Sequence, residues 1–406
     1  MIEVVGIQAS GWSALGEAER ALVEDAEVLL GAPRQLALVP DLPDQVRLPW
    51  PSPLRAGIAA LLADHPDCRI VALASGDPLM AGVGATLIEL LGADRVRVHP
   101  AVSSVALARA RMGWSAESVQ VVRLVDRGAA PIRAQLAPGR RLVVLSRDET
   151  SPAAVAGALV DAGFGASQMT VLADLGAASE TRTDGIAARW PETPMPRLNL
   201  VCVECVPTVG KPTWSVTPGL PDEEYEHDGQ LTKRDIRASA LAHLRPVPNQ
   251  LLWDLGAGAG SVAIEWARTD PSCRAVAVER DADRAGRIRR NADRLGVPSV
   301  RVVQADTVSA LAELPEPDAV FIGGGLSADL VDLSWRSLRV GGRLVAHAVT
   351  VETERIVVDA WQRLGGDLTR MSVERMDRIG SFHGWKPARA VVQWSITKPL
   401  SGNQRP

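Results

Sequence analysis

Several things that would mark a special environment are missing from this sequence. It has no run of 18 or more apolar residues, so it predicts no membrane-spanning helix. Its first residues, MIEVVGIQASGW, lack the basic flank and long apolar core of a secretory signal and read as a β-strand. The expected compartment is the cytoplasm. Four cysteines are too few for a disulfide scaffold in 406 residues. Cys202 and Cys205 form a CxxC, but within the strand-like run LNLVCVECV that spacing turns the thiols to opposite faces. Cys68 and Cys273 stand apart and supply no second pair for zinc, so no metal is expected. Lysine is also scarce: of 44 lysines and arginines, four are lysine. The net charge of −4 and the lack of a basic stripe argue against a nucleic-acid partner. The arginines that remain suit carboxylate ligands, which a guanidinium grips with two parallel hydrogen bonds.

What is present describes an α/β protein. A hydrophobic content of 46% with 23% charge belongs to a globular rather than a disordered chain. The length exceeds one ordinary core and predicts two or three domains. Strand-like runs alternate with helical patterns, which predicts mainly parallel sheets. In the first half the runs are 2–7, 69–74, 96–98, 118–125, 141–146, 169–173 and 198–206. The stretch PTVGKPTWSVTPGLPDEEYEHDG then breaks the rhythm. It places a linker over 207–218 between a domain of residues 1–206, itself two lobes with a break near 115, and a domain of residues 219–406. In the second half a helix is expected over 231–244, with Thr232 as N-cap, followed by strands at 250–255, 275–279, 300–304, 319–322, 342–348 and 390–397.

The densest motif is LLWDLGAGAGSVAIEWA. Leu251–Leu255 reads as a buried strand and Ser261 opens a helix, so Gly256, Ala257, Gly258, Ala259 and Gly260 occupy the first strand-to-helix turn. In an open α/β sheet that turn binds nucleotides against helix amides, and glycine permits positive φ and close approach. The loop also satisfies the GxGxxA form of a dinucleotide fingerprint, so its surroundings must decide. Glu279 ends the next strand, where it would accept hydrogen bonds from ribose hydroxyls or be a solvated strand end. Asp306, followed by Thr307, ends the third strand, where it would reach adenine or cap the next helix. With Asp254 before the first glycine, the set DLGAGAG…VE…QAD resembles class I S-adenosylmethionine-dependent methyltransferases more than dehydrogenases.

The preceding stretch GLPDEEYEHDGQLTKRDIRASALAHLRP is more distinctive. With the glycine loop it resembles the C-terminal half of the bifunctional, decarboxylating precorrin methyltransferases of cobalamin biosynthesis, over about 219–397. The resemblance implies a Rossmann-like class I domain whose cofactor site includes Thr232, Gly256 to Gly260, Glu279, Asp306 and Thr307, with Gly323 to Gly325 near the substrate mouth. In the first half, SGDP with a following GxG, and then HPAVSSVALARARMGW, resemble the tetrapyrrole methylase family, whose two α/β lobes hold S-adenosylmethionine between them. That implies cofactor contacts at Gly76, Asp77, Pro78, Ser103 and Ser104. Asp77 would otherwise cap a helix with Pro78 at its first position, and Ser103 and Ser104 would cap the helix through Ala110. Two departures stand out: GIQASG, with Gln8 and Ala9, replaces a loop of the GxGPG kind, and Val125, Asp126 and Arg127 replace a His-Gly-Arg-like segment.

Together the two resemblances imply S-adenosylmethionine-dependent methylation of a small-molecule precorrin-6 substrate at C5 by the first half and at C15 by the second. The second half would also remove carbon dioxide from the C12 acetate, giving precorrin-8X. The donor is already a strong electrophile, so positioning and water exclusion supply much of the rate, and no nucleophile–base triad is required. Decarboxylation needs an acid; His227, Lys233 and His347 are the candidates. Arg234 and Arg237 would meet substrate carboxylates or form a solvated helix face. An RNA or other small-molecule methyltransferase, or a chain with one non-catalytic binding half, is the alternative. A homo-oligomer is compatible with the sequence.

Overall fold

The computed structural model describes residues 1–124, 128–210 and 215–399. Val125 to Arg127 and the centre of the expected linker, 211–214, lie outside the described residues. Two compact units form, one from Met1–Ala129 with Pro138–Lys211 and one from Ala130–Ala137 with Pro212–Pro406. The short helix Ala130–Ala134 thus groups with the second unit, where a Cβ on Gly296 would meet the Ala134 amide nitrogen at 2.3 Å. No described helix is long and apolar enough to cross a membrane.

The first unit carries two five-stranded sheets. One is all parallel, in the spatial order Val46–Pro49, Val28–Gly31, Ile70–Ser75, Ile2–Ile7, Val96–His99. Its inner strands are buried on both faces, so they read as unbroken apolar runs rather than alternating ones. Val4, Leu30 and Ala72 enter one core and Val5, Leu29 and Leu73 the other. The second sheet runs Val119–Arg123, Arg141–Leu145, Asn199–Glu204, Gln168–Ala173, Thr181–Ile186. Only its first pair is parallel, which corrects the expectation of mainly parallel sheets for this lobe. The added edge strand Thr181–Ile186 is polar and almost wholly exposed, so no apolar run announces it. Cys202 and Cys205 are both buried, and burial pushes the Cys202 thiol up to about 12.

In the second unit a seven-stranded sheet runs Arg301–Gln304, Arg274–Glu279, Leu251–Leu255, Ala319–Ile322, Arg343–Ala348, Val391–Thr397, Asp367–Met371. Val391–Thr397 is antiparallel to both neighbours, while the five strands before it are parallel. A separate hairpin, Glu374–Ile379 with Phe382–Pro387, is inserted before that strand.

Residues 219–233 are tied to this sheet by a buried carboxylate. Glu265, 2% exposed on the helix Ser261–Thr269, accepts from the Gly219 and Leu220 amides, the Tyr225 hydroxyl and, at 2.6 Å, Arg237 Nε. Arg237, fully buried on the helix Arg234–Leu244, also donates to Asp222 at 3.2 Å and to the Thr232 and Leu220 carbonyls. Neither the solvated nor the substrate-facing role expected of Arg237 holds, because the side chain is fully buried and each of its three nitrogens donates within the protein. The expected N-cap at Thr232 is corrected too: the helix starts at Arg234, Lys233 is its N-cap residue, and Thr232 contributes only a carbonyl to Arg237.

Removing one partner of such a buried pair strands the other charge, with a typical loss of about 3–5 kcal/mol. Arg237→Met is expected to lower the calorimetric unfolding transition of the second unit substantially and leave that of the first unchanged. Equal melting of variant and parent would refute the pair's role.

Candidate active site

The second unit contains a cavity of about 1000 Å³, the upper end of the ~300–1,000 Å³ usual for ligand pockets. One end is formed by Gly256, Ala257, Gly258, Glu279, Asp306 and Thr307, all anticipated from the sequence. Thr232 lines it from the tied-down segment and Gly323 to Gly325 from the opposite turn. Ala259 and Gly260, also anticipated, lie behind the loop: Ala259 is buried and its carbonyl accepts from Asn291.

The three loop glycines all have positive φ, 66°, 58° and 75°. What passes close to them is this chain's own backbone and core. A Cβ on Gly256 would stand 2.3 Å from the Gly324 carbonyl oxygen, one on Gly258 3.0 Å from the Gln230 carbonyl oxygen, and one on Gly260 2.6 Å from Ile288 Cγ2. Folding alone therefore demands them, whatever the loop also offers a ligand.

The acids do two things each. Glu279, 5% exposed, accepts from the Gly258 amide at 2.9 Å and the Asp281 amide at 3.1 Å, fixing the loop on one side. Each carboxylate oxygen keeps a second lone pair for a ligand. Asp306 caps the short helix Thr307–Ala310 through Oδ1, which accepts from Val308 and Ser309, and it also lines the cavity. Of the two roles weighed for it from sequence, the helix cap is the one this geometry displays. Asp254, 1% exposed, accepts from the Ala263 amide at 2.9 Å through Oδ2, while Oδ1 has no partner. Burial pushes its carboxyl up to about 7, with Glu279 adding to the rise.

The far wall was not legible in the sequence. It comes from the hairpin and its flanks: Val373, Arg375, Met376, Asp377, Lys386 and Arg389 line the cavity there. Arg375 pairs with Asp235 and Lys386 with Asp377, both near 3 Å, whereas Arg389 has no partner among the described residues. Of the three acid candidates, Lys233 and His347 line the cavity; His227 does not and accepts from the Gly229 amide. Arg234 is exposed beside the Asp222 turn and is not part of the lining.

In the first unit a cavity of about 100 Å³ is lined by Gly76 and Ser104, together with Gln8 and Ala9 of the departing loop, Arg34 and Ser75. Gly6 is held there by packing, since a Cβ would lie 2.0 Å from the Gly76 carbonyl oxygen. Asp77, Pro78 and Ser103 are outside the lining. Pro78 does not begin a helix: the helix starts at Val83, and the intervening GxG exists because Cβ atoms on Gly82 and Gly84 would strike the Pro78 carbonyl at 2.5 and 2.9 Å. Asp77 caps only the turn, accepting from the Leu79 amide at 2.8 Å. Ser103 is the N-cap of Ser104–Met112, accepting from Ala106 at 3.1 Å.

The sheet order of the second unit, its one reversed strand and the acid-tipped strands beside the glycine loop define a class I methyltransferase fold. The comparisons agree and add the first half: residues 2–188 match the tetrapyrrole (corrin/porphyrin) methylases and residues 223–398 the precorrin methyltransferase domain. The precorrin-6Y C(5,15)-methyltransferase (decarboxylating) of a Sinorhizobium species is 41% identical over 398 residues, 98% of this chain and 96% of its own. That of Mycobacterium tuberculosis strain CDC 1551 / Oshkosh is 43% identical over 402 residues, 98% of this chain and 100% of its own. A probable cobalt-precorrin-6B C(15)-methyltransferase (decarboxylating) of Pyrobaculum calidifontis is 36% identical over 178 residues, 42% of this chain and 91% of its own. The chain belongs to the precorrin-6Y C(5,15)-methyltransferase (decarboxylating) family.

Asp254 gives a pH test. Its folded pKa lies above the unfolded value, so its contribution is most favourable below the unfolded pKa of 3.8 and is lost as pH rises through about 7. Asp254→Asn, which can still accept from Ala263, is expected to melt higher than the parent at pH 8, with the advantage shrinking as pH falls from about 7 and vanishing only below 3.8. A difference independent of pH would exclude a buried charge there.

Proposed function

We propose that this chain methylates a precorrin macrocycle at C5 and C15 with S-adenosylmethionine as donor and removes carbon dioxide from its C12 acetate. The second unit carries the C15 methylation and the decarboxylation, and the first unit the C5 methylation. The observation that carries this reading is the two-ended cavity: acids beside a glycine loop at one end, cations on a hairpin at the other. Glu279 and Asp306 keep free lone pairs for the ribose and adenine of the donor, which would supply an electrophilic methyl group. Arg389, with Arg375 and Lys386, suits the carboxylate side chains of a macrocycle. That the Pyrobaculum relative is named for the C15 and decarboxylating steps alone, while matching less than half of this chain, supports both steps sharing one unit.

The protein's own groups have modest tasks here. The glycine loop and the segment around Thr232 fix the donor, and the hairpin fixes the acceptor. Orientation of this kind is worth up to roughly 7–11 kcal/mol of barrier.

Calorimetry with S-adenosylhomocysteine is expected to find two sites per chain, and Gly258→Arg, which fills the space facing Gln230, is expected to leave one. Two sites in that variant would remove the donor from the second cavity. With precorrin-6 and labelled S-adenosylmethionine, the product should carry two added methyls and one carbon dioxide fewer; label in RNA instead would overturn the assignment.

A further inference from the structure

Within the second unit, one side chain is placed to move protons and is otherwise unexplained. His347 sits on the inner strand Arg343–Ala348, 7% exposed, and lines the large cavity. Phe321 stacks edge-on against it with ring centroids 4.9 Å apart, which fixes the plane of the imidazole. Nε2 lies 3.0 Å from Gln393 Oε1 on the neighbouring strand. A carbonyl oxygen only accepts, so the neutral ring carries its proton on Nε2 and leaves a lone pair on Nδ1. On the other side of the amide, Gln393 Nε2 lies 3.1 Å from His243 Nδ1, which is also 2.9 Å from the Ser239 carbonyl oxygen. Nδ1 of His347 has no partner among the described residues.

The reaction proposed above has a matching proton balance. Replacing hydrogen by methyl on an unsaturated ring carbon forms a C–C bond while the S–C pair stays on sulfur, and it releases one proton. Loss of carbon dioxide breaks the acetate C–C bond and leaves its electron pair on the substrate, which takes up one proton. One group that accepts the first proton and returns it completes both steps without a net exchange with solvent.

Building on that reading, we propose that His347 is this group: Nδ1 takes the proton released by methyl transfer and delivers it to the side-chain carbon from which carbon dioxide has left. The Gln393 carbonyl then steadies the transient imidazolium through Nε2–H, and the ring ends neutral as it began. Burial, with a smaller contribution from His243, holds the imidazole down to about 4, so at rest it is a base with its lone pair free. The cavity lining also includes Lys233, Asp235, Arg375, Asp377, Lys386 and Arg389, and at its glycine-loop end Glu279, Arg280, Arg284 and Asp306.

The test uses the full chain with a precorrin-6 substrate and S-adenosylmethionine. General acid–base groups are typically worth about 10²–10⁴-fold. His347→Gln is expected to accumulate a methylated product that has kept its acetate, with carbon dioxide release reduced at least ~100-fold and S-adenosylhomocysteine affinity unchanged. Gln393→Leu, which keeps the imidazole but removes its acceptor, should shift the product ratio part of the way. Nitrogen NMR of the resting protein should find the His347 ring neutral and protonated on Nε2. A parental ratio of decarboxylated to undecarboxylated product in His347→Gln, or a ring protonated on Nδ1, would overturn the proposal. A parent that binds no donor and methylates no precorrin would instead overturn the function it rests on.

Discussion

The second unit depends on one buried carboxylate. Glu265 ties two amides and a hydroxyl of residues 219–225 to an arginine that is itself fully enclosed. Leaving any of these groups unmatched would strand a charge in the core. Once they are matched, the segment up to Lys233 has little freedom, and its Gln230 carbonyl comes to rest against Gly258. Asn291 adds a second tie, accepting from the Glu226 amide and donating to the Glu226 and Ala259 carbonyls. The glycine-loop end of the cavity therefore rests on the polar network as much as on the sheet.

That dependence explains why PDEEY and LTKRDIR are the most distinctive words in the sequence. Asp222 of the first is bound to Arg237 of the second, and the acids between them pair with the helix Ala282–Arg294, Glu226 with Arg290 and Asp228 with Arg284 and Arg287. A charged run usually signals a solvated face, and periodicity alone cannot distinguish it from a lattice of ion pairs. Resemblance located the segment, but only the structure supplied its physical reason. The glycine loop taught the same lesson. Its residues were readable, yet the groups that forbid a side chain there come from Gly324, Gln230 and Ile288, each distant in sequence.

The strands at the sheet centres were legible because burial on both faces leaves unbroken apolar runs such as Leu251–Leu255 and Ala319–Ile322. Edge and inserted strands were not. Thr181–Ile186 and the hairpin Glu374–Ile379 with Phe382–Pro387 are exposed, and their sequences answer to neighbours or ligands rather than to a core. For the same reason the glycine-loop end of the cavity could be foreseen while the hairpin wall could not. The turn after the first strand follows from topology, whereas Arg375, Lys386 and Arg389 reach the cavity only through an insertion with no periodic signal.

The two units solve the same problem with unequal space. In the second, the segment around Thr232 and the hairpin stand apart and leave about 1000 Å³ between them. In the first, Gln8 and Ala9 project where a glycine–proline loop would leave room, and the cleft they line with Arg34 and Gly76 holds about 100 Å³. Gly6 still allows Gly76 to approach closely, so the strand-end packing of the fold survives the change in the loop. The replacement thus acts on the width of the cleft and not on the fold that frames it. Gln8 is thus part of the wall of the first unit's cleft, whereas the corresponding wall in the second unit is glycine backbone.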